Sequence, residues 1–312
     1  MKRKYDELEA RYLNPLIDFG FHKLFGEESN KDLLIDFLNE IIREEGRITD
    51  IQYLVTEQWG NFKTDRKAVF DIFCKTEKEE YFIVEMQNAK QPFFRDRSIF
   101  YASLPIQKQA PKGFWDYRLN KIYLVAILDF VLFEDFEDDK EYVVERVQLV
   151  RERTKTVYSN VLEFAFVELP KFKKTEKELK SHFDKWLFIL KNLSKLKARP
   201  ASIQGEVFEK LFELAEIKQL TKKNMETYRK SILKYHDVRL AVDCDREEGV
   251  KEGIEKGRRE GIEKGIEKGR RESIEKEKNM IQKCLQKNMA IEDIVFLTGY
   301  TKEQIISFQT KN

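Results

Sequence analysis

Ala68-Val69-Phe70-Asp71-Ile72-Phe73-Cys74 and Phe82-Ile83-Val84-Glu85-Met86-Gln87 decide how this 312-residue chain is read. Each run is apolar on both faces and is broken by a single acid, the pattern of a buried strand. Thr76-Glu77-Lys78-Glu79-Glu80 lies between them as a charged turn. Strand side chains alternate, so Glu85 and Gln87 share one face while Val84 and Met86 take the other. If the runs pair across the turn, Asp71 and Glu85 converge near one end of a sheet. An ionised carboxylate is costly to bury alone, whereas two facing a divalent cation satisfy each other's charge. Two readings stand at this point: a cation site, or two strand-end carboxylates each paired with a nearby Lys or Arg.

Ile48 to Glu57, Lys67 to Lys75 and Tyr81 to Gln87 read as three strands. Leu33, Leu34, Phe37, Leu38, Ile41 and Ile42 fall at helical spacing between Lys31 and Arg43, with Asn30 placed to cap. A helix is expected from Phe94 to Ala110, then strands at Lys121 to Asp129, Tyr142 to Val150 and Val157 to Leu169. Helix, three strands, helix and strand is the order of an α/β core, a mixed sheet flanked by helices. Residues 1–170 form this core and hold five of the six prolines. Residues 171–245 read as a helical extension, with Phe183, Trp186, Leu187, Leu190 and Leu193 on one face and further helices at Val207 to Leu220 and Asn224 to Leu240.

Residues 246–278 carry glycine at 249, 253, 257, 261, 265 and 269, with Ser273 in the next place and 11 basic and 10 acidic residues between. Acids stand four residues before bases in Glu252/Lys256, Glu255/Arg259, Glu260/Lys264 and Glu267/Arg271, at about 0.2–0.5 kcal/mol per pair in a helix. Each glycine costs about 1 kcal/mol in a helix interior, more than those pairs return. The stretch is therefore either a charged linker or a helical stalk partnered along its glycine side, which points to a homo-dimer or higher homo-oligomer. A four-residue period exceeds 3.6 and favours a right-handed crossing. Residues 279–312 close the chain as a small helix-turn-helix-like unit, with Gly299 at a turn and Thr301 and Gln304 as a capping box. Packing or capping of an oligomer suits this unit better than DNA reading, because its basic excess is small.

Composition narrows the class. There are 58 Lys+Arg against 56 Asp+Glu, a net charge of +2, and 37% charged residues beside 12% aromatic. That aromatic content belongs to a folded chain, and a near-zero net charge leaves nucleic-acid binding to local patches. The longest apolar run, Ile122 to Phe133, contains Asp129 and is too short for a bilayer. Three distant cysteines, Cys74, Cys244 and Cys284, suit a reduced, cytoplasmic compartment and give no zinc framework. His22, His182 and His236 are isolated, and no strand is followed by a glycine-rich phosphate loop. Kinase, dehydrogenase and serine-hydrolase chemistries lack their residues.

Asp71 followed by Glu85-Met86-Gln87 resembles the PD-(D/E)XK nuclease motif in its E-x-Q variant. Leu13-Asn14-Pro15 with Ile17-Asp18-Phe19-Gly20-Phe21-His22-Lys23-Leu24-Phe25-Gly26 resembles the opening of the Rpn-type recombination-promoting nuclease/transposase family. Arg95, Arg97 and Tyr101, the strand Ile122 to Phe130 and the glycine-periodic tail continue the likeness over nearly the whole chain. The resemblance implies a restriction-endonuclease-like core and Mg²⁺- or Mn²⁺-dependent hydrolysis of DNA phosphodiesters, linked to DNA recombination or mobile elements. It makes Asp71 and Glu85 metal ligands and Asp71, Glu85 and Gln87 the catalytic set, with Asp18 as an additional acid or simply an N-cap. Gln87 stands where the parent motif has lysine; it can orient water but adds no charge. Lys23, Lys67 or Lys90 could supply that charge. Lys23, Arg95, Arg97 and Tyr101 are the expected phosphate contacts, the last three inside a window from Arg95 to Lys121 that also holds Lys108, Lys112, Arg118 and Lys121. The alternative is a non-catalytic DNA-binding or self-associating protein on a nuclease scaffold.

Overall fold

The computed structural model describes residues 9–42, 47–58, 68–110, 113–135 and 141–309. It is a mixed α/β core with a helical C-terminal extension, as the order of apolar runs requires. After helices α1 (Asp18–Phe25) and α2 (Lys31–Ile41) come strands β1 (Ile51–Tyr53), β2 (Glu57–Gln58), β3 (Ala68–Val69), β4 (Ile72–Thr76) and β5 (Tyr81–Gln87). Helix α3 (Phe94–Lys108) crosses over to β6 (Ile122–Leu128), followed by β7 (Val144–Val150) and β8 (Val157–Glu168). The six-stranded sheet has the order β1-β4-β5-β6-β8-β7. β5–β6 and β6–β8 are parallel and the other pairs antiparallel. β5 and β6 are central and covered on both faces; β6 is apolar throughout, and in β5 the apolar run is broken by Glu85.

Two expected strands are each split, for one reason. β1 pairs with β4, Ile51 opposite Thr76, and Leu54 still donates to the Phe73 carbonyl at 2.7 Å. Beyond it the chain leaves the sheet, and Glu57–Gln58 pair instead with Ala68–Val69 as a separate two-stranded ladder. The second run thus serves two sheets, and the break falls at Phe70 and Asp71; its first residue, Lys67, lies outside the described residues.

Ile72, Cys74, Phe82, Val84, Met86, Tyr123, Val125 and Ile127 face α1, α2 and the helices α4 (His182–Asn192) and α5 (Glu206–Leu214). Phe73, Ile83, Leu124, Ala126, Leu128, Phe164 and Phe166 face α3. The expected run Val207 to Leu220 stops as α-helix at Leu214. There the opening segment takes its backbone: Leu13 donates to the Ala215 carbonyl at 2.8 Å and Ile217 donates to that of Arg11 at 3.0 Å. Asn30 occupies the N-cap position of α2 without capping it, because its amide donates to the Lys23 carbonyl at 3.0 Å.

The opening motif is a close-packed turn. The Asn14 side chain accepts from Leu16 N–H at 3.0 Å, and a Cβ built on Gly20 would stand 2.0 Å from the Asn14 carbonyl oxygen, so only glycine fits. Leu13 and Ile17 pack on Tyr228, Ile232 and Tyr235 from the start of α6 (Lys222–Gln286), the helix that also contains the glycine-periodic stretch. The compact units divide between Val242 and Asp243. In the second, Ile281 packs with Ile294 of α7 (Ile291–Thr298) and Ile305 of α8 (Lys302–Gln309), and Thr301 and Gln304 form the expected reciprocal cap. Among the described residues no helix is long and apolar enough to cross a membrane.

Candidate functional site

The site is built where the β4–β5 ladder opens. Ile72 pairs with Val84, so Asp71, one residue before β4, stands across from Glu85 in β5. Here side chains take over backbone donors: Met86 N–H donates to Asp71 Oδ2 at 2.8 Å and Asp71 N–H donates to Glu85 Oε1 at 3.3 Å. The acid that ends the strand thereby also replaces its missing partner. Glu85, opposite Ala126 of β6, is 3% exposed.

Both carboxyls are held toward their neutral form. Burial pushes the Asp71 carboxyl above the usual carboxylate range; the Met86 N–H, His22 and Arg97 oppose that, and Asp18 adds to it. Glu85 is pushed up to about 8, first by burial and then by the negative charge of Asp71. Two acids that cannot both ionise in a dry site invite either a proton or a cation between them.

Gln87, on the same face of β5, donates its amide to Glu85 Oε2 at 3.2 Å. Its carbonyl Oε1 accepts from Arg97 of α3 at 2.7 Å, and Arg97 also donates to Gln91. The guanidinium lies over the rings of Phe94 and Tyr101, 4.9 and 5.7 Å from their centroids. A relay thus runs from Arg97 through Gln87 to Glu85, and the Arg97 charge favours ionisation of both acids.

The remaining expected residues lie less directly on the acids. Asp18 is the first residue of α1, not its N-cap, which is Ile17; its carboxylate pairs with Lys234 of α6 at 2.7 Å. Lys23 is held by Glu27 at 3.0 Å and Lys90 stands 3.8 Å from Glu134. Arg95 donates to the Leu132 carbonyl and to Asp135, at 3.1 and 3.0 Å, and stacks on Phe133. It grips the loop after β6, which Glu168, paired with buried Lys171 at 2.6 Å, holds from the other side through Phe133 N–H at 3.0 Å. Tyr101 packs edge-on against Phe70. Lys112 lies outside the described residues.

Sequence reading missed four contributors. Asp129 follows β6 and donates its N–H to the Gln87 carbonyl at 2.9 Å. Its carboxylate, raised by burial, takes Arg239 at 2.9 Å and the Tyr235 hydroxyl at 3.3 Å, both from α6. His22, on the same α1 as Asp18, lies in electrostatic range of Asp71.

Among the described residues no group of three or more His, Cys, Asp or Glu converges to hold a metal ion. The donor set is a carboxylate pair with an amide beside it. That suits Mg²⁺ or Mn²⁺, which keep several waters and bind through one or two carboxylates together with substrate phosphate. It does not suit zinc, which wants four N or S donors in structural sites.

A stability test follows from the burial. The folded Glu85 keeps a proton that the unfolded chain has lost, so metal-free protein loses stability as pH rises from about 4.5 through about 8. Glu85→Gln removes that loss. At pH 8 in EDTA the variant is expected to be on the order of 2 kcal/mol more stable than wild type, about 4–8 °C in Tm, with little difference at pH 4.5. Equal melting temperatures at pH 8 would mean that Glu85 is solvated or already neutralised.

A family model described as PD-(D/E)XK nuclease family transposase matches residues 15–245. No curated protein and no solved structure matches the chain. The matched span is well over half of the chain and contains the acid pair, Gln87, Arg97 and the root of α6, so the chain belongs to the PD-(D/E)XK nuclease superfamily, in the family described as PD-(D/E)XK nuclease family transposase.

Proposed function

We propose that this protein is a divalent-cation-dependent DNA endonuclease on a restriction-endonuclease-like core, of the Rpn type, serving DNA recombination or mobile elements. The observation that carries this reading is the buried Asp71–Glu85 pair at the open end of the β4–β5 ladder, with both carboxyls raised. Asp71 and Glu85 would hold Mg²⁺ or Mn²⁺, which when bound supplies Lewis acidity to a phosphate and to water. Gln87 orients a water through its amide, and its own orientation is fixed by Arg97. Arg97 brings the positive charge that the parent motif draws from lysine, now delivered from α3 and not from β5. Its Nε is buried without a hydrogen-bond partner.

Two measurements on the wild type test the reading. Supercoiled plasmid is expected to be nicked with Mg²⁺ or Mn²⁺ and not in EDTA. The cation alone is expected to raise Tm, since binding to the folded state stabilises by mass action, about 2.7 kcal/mol at a hundredfold excess over Kd. Neither nicking nor a thermal shift would favour the non-catalytic scaffold, for which Gln87 in the motif's lysine position is the supporting feature.

Arg97 gives the reading a finer test. Arg97→Ala is expected to lower kcat about a hundredfold with KM little changed, because Gln87 loses its anchor and the acids lose their counter-charge. Adding Gln87→Lys to that variant is expected to restore about tenfold, with the charge back in the motif's own position. A fall confined to KM would make Arg97 a phosphate contact only.

Self-association through residues 246–278 belongs to the same proposal. In the structure these residues are helical, with nothing within 4 Å of a Cβ built on any of the six glycines and with Ile254, Ile262, Ile266 and Ile274 exposed. A chain lacking 246–278 is expected to lose its oligomeric state in light scattering.

A further inference from the structure

The basic window expected on α3 is largely spent within the fold: Arg95 on Asp135 and a carbonyl, Arg97 on Gln87 and Gln91. A different set of cations has no carboxylate partner among the described residues. Lys191, near the end of α4 on the other face of the sheet, donates its ammonium to the Phe172 carbonyl, beside exposed Lys173. Exposed Lys195 follows one turn later, in the 3₁₀ turn Leu193–Lys195. None of the three forms an ion pair among the described residues, whereas neighbouring Lys171 and Lys174 are each paired with a carboxylate, Glu168 and Asp184.

Both exposed ammonium groups act on that of Lys191. Lys191 is held below its ordinary range, first by partial burial and then by Lys173 and Lys195; Asp129 is the acid that opposes this. Asp129 is already taken by Arg239 and Tyr235, so it does not neutralise the cluster. It does locate it. Asp129 N–H donates to the Gln87 carbonyl, so Lys191 and Lys195, which act on Asp129, stand toward the same end of the central strands as the acid pair. A like-charged cluster with no internal counter-ion weakens the fold and strengthens contact with a polyanion.

We propose that Lys173, Lys191 and Lys195 form a docking surface for the phosphate backbone of duplex DNA, beside the acid pair and on the face of the sheet away from α3. The proposal rests on the nuclease reading above and adds to it the path of the substrate. These lysines grip phosphates without reading bases, so they set affinity and salt dependence and leave sequence preference unchanged.

The test is fluorescence anisotropy of a labelled duplex with the full-length chain, with Ca²⁺ in place of Mg²⁺, over a salt series. Lys173→Gln/Lys191→Gln/Lys195→Gln is expected to weaken binding roughly 10–100-fold at about 0.1 M salt and to reduce the slope of log K against log salt by about 2–3. Lys173→Gln/Lys195→Gln, which changes only exposed positions, is expected to reduce the slope by about 2 and guards against misfolding. Lys222→Gln/Lys223→Gln/Lys230→Gln removes the same charge from the exposed start of α6 and is expected to leave the slope unchanged. The cation-induced rise in Tm is expected in every variant. Wild-type binding with equal slopes in the two triple variants overturns the docking surface and leaves the nuclease reading standing. A wild type that binds no duplex overturns the docking surface, and with the thermal shift also missing it overturns both.

Discussion

Asp71→Ala and Glu85→Ala are each expected to reduce Mg²⁺-dependent plasmid nicking by at least about a thousandfold, on the order of 4 kcal/mol of lost transition-state stabilisation. The size follows from how little redundancy the site has. Two carboxylates form the donor set, and removing either leaves one acid to hold an ion that binds through one or two carboxylates and a phosphate. Glu85→Ala also removes the acceptor of the Asp71 N–H and of the Gln87 amide, so the relay from Arg97 ends on nothing. Loss of activity should not be loss of fold. In EDTA both acids are unfavourable when ionised, so the variants are expected to melt no lower than wild type at pH 8. Asp18→Asn is expected to cost less than about tenfold, because Asp18 is half exposed and paired with Lys234. Nicking that survives in both alanine variants to within tenfold would place the chemistry elsewhere in the molecule.

The acid pair was legible because each acid is the single charge in an apolar run, and a strand's period of two says which neighbours share its face. β5, β6 and α3 were legible to within a residue or two for the same local reason. What surrounds the acids was not. Arg97 sits in a charged window and reads as a phosphate contact; only the turn between β5 and α3, residues 88–93, brings it onto the glutamine. Lys234 meets Asp18 across 216 residues and Arg239 meets Asp129 across 110, distances at which no period carries information. The split of the first two strands was equally hidden, since it depends on β2 and β3 pairing with each other away from the main sheet. Local pattern located the acids, and long-range packing chose their partners.

That packing makes the second large prediction. A chain ending at residue 170 is expected to show no cooperative melt, although it contains every strand and both acids. The first reason is the core beneath α1 and α2, which takes Trp186, Leu187, Ile189, Leu190, Leu193, Phe208, Leu211 and Phe212 from beyond the cut. At about 1.5–3 kcal/mol per buried large side chain, their loss is comparable to the whole 5–15 kcal/mol that holds a domain folded. Polar ties go with them: Asp36 of α2 accepts from the Trp186 indole at 2.7 Å and meets His182 at 2.6 Å. The second reason lies at the opening motif. Leu13 and Ile17 are buried by Tyr228, Ile232 and Tyr235, the Tyr228 hydroxyl accepts from Asn14 N–H at 3.0 Å, and Ser231 accepts from Phe19 N–H at 3.2 Å. A chain ending at residue 242 keeps all of these contacts and is cut where the compact units divide. It is expected to melt cooperatively within a few degrees of the full-length protein and to retain the Mg²⁺-induced rise in Tm. If the 170-residue chain instead melts cooperatively and responds to the cation, the helices beyond it are dispensable cover. If the 242-residue chain fails as well, the acids depend on the stalk, and the positioning of Asp18 and Asp129 by α6 must be maintained by what the stalk binds.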